Sequence, residues 1–330
     1  MQDGLRRTLR PLRRPASVSE ALQWGRVALA EAGPIATESP SLDADVLLRH
    51  VLGWDRATLF GHDHEAISPP AWRRFRALVG RRVRAEPIAY LTGTREFAGL
   101  SFRVNRHVLI PRPDTETIVE LGIARLAPLG SSGRAADVGT GSGAIAISLA
   151  RACRSAIVHA IDIDPGAIRV ARRNAWRLAA GARLRFHLGD GLPAAQARVD
   201  VVCANLPYVP DHAIPELNAT VRDWEPHLAL AGGPDGLDPY RALLNATPHH
   251  VRAGGSILME CDPVQAEALS SLARTAHPDA RISVHRDLAG HDRVVEARLP
   301  GTEPTIRRRT GTTPLPSVAP ATNRVTLRPP

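Results

Sequence analysis

A chain of 330 residues with 44% hydrophobic residues is long enough for a full α/β core and a second, smaller domain. No apolar run approaches the roughly 20 residues that span a bilayer, and the first residues lack the apolar segment of a secretory signal. The formal net charge of +9 sits mostly at the ends: residues 1–16 hold five Arg against one Asp, and residues 301–330 hold five Arg against one Glu. The body is therefore close to neutral, which argues against a polyanionic partner and leaves no direct nucleic-acid contact expected. Every basic residue is Arg, so Schiff-base and P-loop lysine chemistry is excluded. Cys153, Cys203 and Cys261 lie in apolar runs with no C-x-x-C pair, the usage of buried, reduced thiols in a cytoplasmic protein. The histidines have no zinc-site spacing with Cys or acidic partners, so no metal is expected.

Residues 1–16, rich in Arg and Pro, are expected to form a disordered tail, although a mitochondrial presequence has a similar composition. Helical spacing begins at Ser17, where Glu20 would complete a capping box, and ends at Gly33-Pro34. A second helix is predicted from about Ser41 to Gly53, with Leu42, Val46, Leu47 and Val51 on one face. A third starts at Ser68-Pro69 and aligns Trp72, Phe75, Val79 and Val83. Residues 17–89 thus read as a small helical bundle without a catalytic constellation, suited to recognising a partner. Over 90–110 the period changes to two, with Phe97, Leu100, Phe102 and Val104 flanking Ala98-Gly99, which predicts a hairpin linking two domains.

From 111 to 300 strands and helices alternate. After a helix from about Thr115, strands are predicted near 136–138, 156–162, 183–188, 199–204, 255–261, 281–286 and 293–298. Helices are predicted at 144–152, 165–180, 238–253 and 263–276. That order describes a doubly wound parallel sheet, closed by two strands whose short connection suits an antiparallel edge. Residues 301–330, rich in Pro, Thr and Arg, are expected to be a second disordered tail.

Two stretches in this domain carry chemistry. In the first, an apolar run and Asp137 lead into Gly139, Thr140, Gly141, Ser142 and Gly143, and an apolar-periodic helix follows. Alone, alternating glycines mark a turn. Between a strand and a helix they let backbone N–H groups approach a ligand at a helix N-terminus. Asp162 ends the next apolar run roughly 20 residues on, where ribose hydroxyls would be held. The G-x-G-x-G spacing after an acid resembles the S-adenosylmethionine methyltransferase loop rather than the G-x-G-x-x-G of dinucleotide folds.

The second stretch is Asn205, Leu206, Pro207 and Tyr208, delivered at the carboxyl end of the 199–204 strand, the edge where open α/β sheets bind ligands. By itself this is an Asn-x-Pro turn. Beside a glycine loop it suits a planar nitrogen nucleophile. A delocalised amide or aromatic NH₂ gains electron density when acceptors take both N–H bonds and hold it against an electrophilic methyl. The Asn205 side-chain oxygen and the Leu206 carbonyl are such acceptors. Pro207 restricts Leu206 to an extended conformation, and Tyr208 offers a flat face for the substrate group.

The chain resembles the bacterial peptide chain release factor glutamine methyltransferases, the HemK/PrmC family. Matching stretches are Glu86–Phe97 (EPIAYLTGTREF), Val108–Glu116 (VLIPRPDTE), the glycine loop and Asn205–Tyr208. Glu225–Leu237 (EPHLALAGGPDGL) and Asp287–Val295 (DLAGHDRVV) match as well. Resemblance spans roughly residues 17–299. It implies a Rossmann-like class I methyltransferase that uses S-adenosyl-L-methionine to methylate the glutamine amide in the Gly-Gly-Gln loop of class I release factors. It also implies that Gly139 to Gly143 hold the cofactor together with Asn205, that Asp162 binds its ribose, and that Asp190 and Gly191 line its adenine end. Asn205 to Tyr208 occupy the family's Asn-Pro-Pro-Tyr. Leu206 departs from that pattern, as does Gly191, where some relatives carry an aromatic residue. Alternatives are a ribosomal-protein glutamine methyltransferase, a nucleic-acid adenine or guanine amino-group methyltransferase, and a catalytically silent binding module.

Overall fold

The computed structural model describes residues 14–34, 36–192 and 198–301. Most of both predicted tails, 1–13 and 302–330, lies outside these residues.

Helix α1 (Val18–Glu31) starts where the Ser17 side chain accepts from the Glu20 N–H. The Glu20 carboxylate turns back one residue further than a capping box requires and accepts from the Ala16 N–H at 2.8 Å. Helix α2 (Pro40–Leu52) ends at Gly53 in the left-handed conformation, a C-terminal signal legible in the sequence. Helix α3 (Arg56–Gly61), one and a half turns capped by Asp55, is too short for periodicity to reveal. Helix α4 (Pro69–Arg82) is capped by Ser68. These helices enclose one cluster around Phe75, Leu29, Leu47 and Leu59, and Trp72, Phe75, Val79 and Val83 are all buried in it as their spacing predicts.

The α2 stripe differs from expectation. Leu42 is 58% exposed, while Ala44, Leu47 and Leu48 are buried. The buried face also takes in Asp43, which accepts from Arg82 Nε at 2.7 Å. An apolar template cannot anticipate a carboxylate that enters a core because a guanidinium on another helix neutralises it.

The segment predicted as hairpin opens instead with a short helix, α5 (Ile88–Thr92). Strands β1 (Thr94–Phe97) and β2 (Leu100–Arg103) follow, joined at Ala98-Gly99 with both φ angles positive, as a tight hairpin turn requires. Phe97 and Phe102 are buried in the core of the following sheet, with ring centroids 6.0 Å apart. The hairpin is thereby part of that domain's core as well as a link to it.

Helix α6 (Glu116–Leu126) precedes β3 (Arg134–Val138), α7 (Ala144–Ala152), β4 (Ile157–Asp162), α8 (Pro165–Arg177), β5 (Leu184–Leu188) and β6 (Val199–Ala204). A long connection with the single turn α9 (Ala219–Arg222) leads to α10 (Asp238–His250), β7 (Val251–Glu260), α11 (Ala266–Ala276), β8 (Arg281–Arg286) and β9 (Asp292–Arg298). Strand order is β5-β4-β3-β6-β7-β9-β8, with β9 antiparallel to both neighbours. The late antiparallel strand therefore inserts between β7 and β8 and leaves β8 at the edge. Helix α10 stops three residues short of the predicted end, because Val251 already pairs with Val199 as a strand residue. Helix α8 likewise ends at Arg177 rather than 180.

The sheet separates two clusters. From Val201 onward β6 alternates, with Val201 and Cys203 facing one cluster with α6 and α7 and Val202 and Ala204 facing the other with α10 and α11; Val199, across the register shift between Val199 and Val201, joins the second. Strand order reverses between β3 and β6, and loops at that switch point diverge to form a crevice.

Candidate active site

The crevice is a cavity of about 410 Å³ at the carboxyl ends of β3, β4 and β6. Gly139, Thr140, Gly141 and Ser142 line it from β3, Asp162 from β4, and Asn205, Leu206 and Pro207 from β6. Asp190 and Gly191 complete one end. Two predicted residues are not among its lining. Gly143 stands behind the loop, where an added Cβ would lie 2.8 Å from Ile147 and 3.2 Å from Ala171, so its role is close packing of α7. Tyr208 packs instead against the α10 and α11 cluster, and its carbonyl accepts from Gln265 Nε2 at 2.9 Å.

Asp137 organises the glycine loop. It is fully buried, and one carboxylate oxygen accepts from the Thr140 hydroxyl at 2.6 Å and the Ala146 N–H at 3.0 Å, tying the turn to the first turn of α7. Burial pushes its carboxyl up to about 7 against these two bonds. Asp162 accepts from the Gly141 N–H at 2.7 Å and the Asp164 N–H at 2.9 Å, and burial raises its carboxyl as well. Gly139 has φ +74 and Gly141 φ +55. A Cβ on Gly139 would come within 3.0 Å of Leu206, whereas one on Gly141 would meet no atom nearer than 4.0 Å. The backbone at Gly141 thus leaves space that a ligand can fill, and a carboxylate at the end of β4 stands where a diol can be held. These residues fit S-adenosylmethionine.

The Asn205 side chain has a defined orientation. Its Nδ2 donates to Thr115 Oγ1 at 3.1 Å, so the amide oxygen is left for another partner. Thr115, buried, comes from the Pro-Arg-Pro-Asp-Thr-Glu stretch, and its hydroxyl also acts on Glu260 at the end of β7. Burial pushes the Glu260 carboxyl up to about 7, opposed by Thr115 and Arg293, and Oε2 has no hydrogen-bond partner. Burial and Glu260 together push the Tyr208 phenol up to about 12. The Tyr240 hydroxyl holds Leu206: it accepts from the Leu206 N–H at 3.2 Å and donates to the Glu260 carbonyl.

Distant stretches meet around this cavity. Glu225 accepts from the Ile110 N–H at 3.0 Å and from Arg112 at 2.5 Å. Arg293 lies 3.3 Å from Asp114 and 3.2 Å from Asp287. Thr115, Glu260, Tyr240 and Arg293 were not singled out by sequence reasoning. The only signal for them was the resemblance of the stretches around Thr115 and Arg293. Among the described residues no group of three His, Cys, Asp or Glu side chains could hold a metal, and no helix is long and apolar enough to cross a membrane.

Glu260 predicts a pH effect on stability. Its ordinary value is 4.5. Between that value and about 7 the unfolded chain ionises while the folded protein keeps its proton, so stability falls with rising pH by on the order of 2 kcal/mol. Asp137 adds a slope of the same sign from its own ordinary value of 3.8. In Glu260→Gln, urea midpoints measured from about pH 5 to about pH 7 should fall less than in the wild type, leaving the Asp137 share.

Residues 20–93 match the PrmC N-terminal domain and residues 135–226 a methyltransferase domain. The release factor glutamine methyltransferase of Moorella thermoacetica is 44% identical over 257 residues, 78% of this chain and 90% of that protein. The protein of the same name from Cereibacter sphaeroides is 39% identical over 282 residues, 86% of this chain and 98% of that protein. Among solved structures, the catalytic domain of hMettl16 in complex with MAT2A 3'UTR hairpin 6 shares the fold with a TM-score of 0.51 at 12% identity, over 62% of this chain and 77% of that one. The mostly parallel seven-stranded sheet, its crevice and this similarity along most of both chains lead to one assignment: the chain belongs to the release factor glutamine methyltransferase family, with a class I methyltransferase fold.

Proposed function

We propose that this protein is a cytoplasmic S-adenosylmethionine-dependent methyltransferase that modifies the glutamine side-chain amide in the Gly-Gly-Gln loop of class I release factors. The observation that carries the reading is the shared cavity: the glycine loop and Asn205 to Pro207 line the same 410 Å³ space in a chain of this family. Gly139 to Ser142 and Asp162 are the residues to hold S-adenosylmethionine, with Asp190 and Gly191 at its adenine end. Bound there, it supplies an electrophilic methyl group on a sulfonium.

The chain's own residues prepare the amide. Asn205, its Nδ2 engaged by Thr115, presents Oδ1 as acceptor for one substrate N–H, and the Leu206 carbonyl accepts the other. Tyr240 fixes the Leu206 peptide through its N–H, so the rigidity that a second proline would give is supplied from α10. Pro207 keeps Leu206 extended. Tyr208, partly buried beside Glu260 and Arg293, supports the turn from behind. Helices α1 to α4 serve as a recognition module for the protein substrate.

Incubation with a release factor and methyl-labelled S-adenosylmethionine, followed by peptide mapping, should place label on the Gly-Gly-Gln glutamine. Label confined to a ribosomal protein, or no transfer by correctly folded protein, would reject this substrate.

A further inference from the structure

The exposed arc of α8 carries one sign of charge only. Arg169, Arg172, Arg173 and Arg177 recur at i, i+3, i+4 and i+8, with Trp176 at i+7 and 84% exposed. Ala167, Ile168, Val170 and Ala171 bury the opposite face, so packing does not account for the arginines. Facing this arc is the end of the hairpin, held to α8 through Asn174, which bonds both the N–H and the carbonyl of Arg103.

Between them lies a second cavity of about 390 Å³, lined by Arg103, Asn105, His107, Arg169 and Arg173 and by no acidic residue. Arg172 is engaged by the Phe186 ring, with its guanidinium 5.7 Å from the centroid, and Arg177 donates to the Ser101 carbonyl. Among the described residues the guanidinium groups of Arg103, Arg169 and Arg173 form no ion pair, whereas Arg82, Arg112, Arg125 and Arg293 all pair with carboxylates. In a nearly neutral body, unpaired positive charge gathered in one concavity is a local field aimed at an anion. His107 also lines the candidate active site, so the two cavities are neighbours.

We propose that this arginine-lined cleft, with the exposed Trp176 further along α8, is a docking surface for an acidic segment of the protein substrate; the proposal rests on the function given above. Forked guanidinium groups match carboxylates bidentately, and Arg beside an exposed Trp is the composition of an interface anchor. A cleft of this size suits one or two carboxylate side chains, whereas a nucleic acid needs an extended track of phosphate contacts. Arg169 and Arg173 do not line the active-site cavity. They act on capture of the substrate rather than on methyl transfer.

The test is the full chain carrying Arg169→Glu and Arg173→Glu together, assayed on an intact class I release factor. KM for the release factor should rise about tenfold or more with kcat within about twofold, and affinity for S-adenosylmethionine should be unchanged. Wild-type KM should climb with NaCl from about 50 to about 300 mM, and the variant's should climb much less. An active variant with wild-type KM overturns the proposal, as does an equal loss of cofactor affinity. Arginine-dependent binding of an oligouridylate RNA with KM for the release factor unmoved would reassign the surface to RNA. A wild-type protein that binds cofactor yet transfers to no release factor removes the underlying function itself, an outcome distinct from all of these.

Discussion

Asn205→Ala is expected to lower kcat for methyl transfer by about 10²–10³-fold while leaving cofactor affinity within about twofold. In the proposed mechanism the amide oxygen of Asn205 accepts one substrate N–H, and alanine leaves that bond unmade. Cofactor affinity survives because the glycine loop and Asp162 are built on β3 and β4, whose loop is tied by Asp137 and the Gly141 N–H rather than by Asn205. Thr115→Val gives the sharper contrast. It removes the hydroxyl that takes the Asn205 Nδ2 proton, so the side-chain amide is free to flip, and kcat should drop by about tenfold. Thr115→Ser, which keeps the hydroxyl, should recover most of that loss. Single-turnover methyl transfer together with calorimetric titration of cofactor separates the two quantities. An Asn205→Ala enzyme with an unchanged rate would mean that the substrate nitrogen is held by other groups.

Gly141→Val should abolish measurable cofactor binding, a loss of at least about 100-fold in affinity, with the fold retained. Two effects combine. The φ of +55 disfavours any β-branched residue, and the new side chain would occupy space at the cavity wall that the backbone now leaves open. Gly181→Val isolates the first effect: Gly181 has φ +86 in the connection between α8 and β5, with nothing within 4 Å of an added Cβ. That variant should lose stability by about 1–2 kcal/mol and keep wild-type cofactor affinity. Equal cofactor binding by both variants would place the ligand away from the loop.

The fold was readable wherever a local rule operates alone. Ser17, Ser68 and Gly53 mark helix ends, and Trp72 through Val83 repeat at helical spacing because one face meets the core. The turn at Ala98-Gly99 is legible from its alternating flanks. Errors came where a partner distant in sequence decided the outcome: Leu42 gave up its place to Asp43 because Arg82 pairs with it, and Val251 left its helix because Val199 offered a strand ladder.

The candidate site divides the same way. Gly139, Gly141, Asp162 and Asn205 could be identified from the chain alone, since each follows a strand and must sit at the carboxyl edge of a parallel sheet. Gly143 and Tyr208 lie two and three residues beyond Gly141 and Asn205, yet the cavity does not include them, because Gly143 is packed closely against Ile147 and Ala171 and Tyr208 packs on the α10 and α11 cluster. Thr115, Tyr240 and Glu260 lie 90, 34 and 20 or more positions from the groups they orient.

Sequence by itself determined the order of the strands and of the longer helices, the glycine turn and the acceptor-bearing turn after β6, because backbone conformation answers to neighbours within a few residues. Only the tertiary structure decided which way Asn205 presents its amide, what braces Leu206, and that Arg169 and Arg173 of α8 share a cleft with the hairpin. Those outcomes depend on hydrogen bonds and charges between segments that the chain brings together only by folding, and nothing in the local sequence encodes that distance.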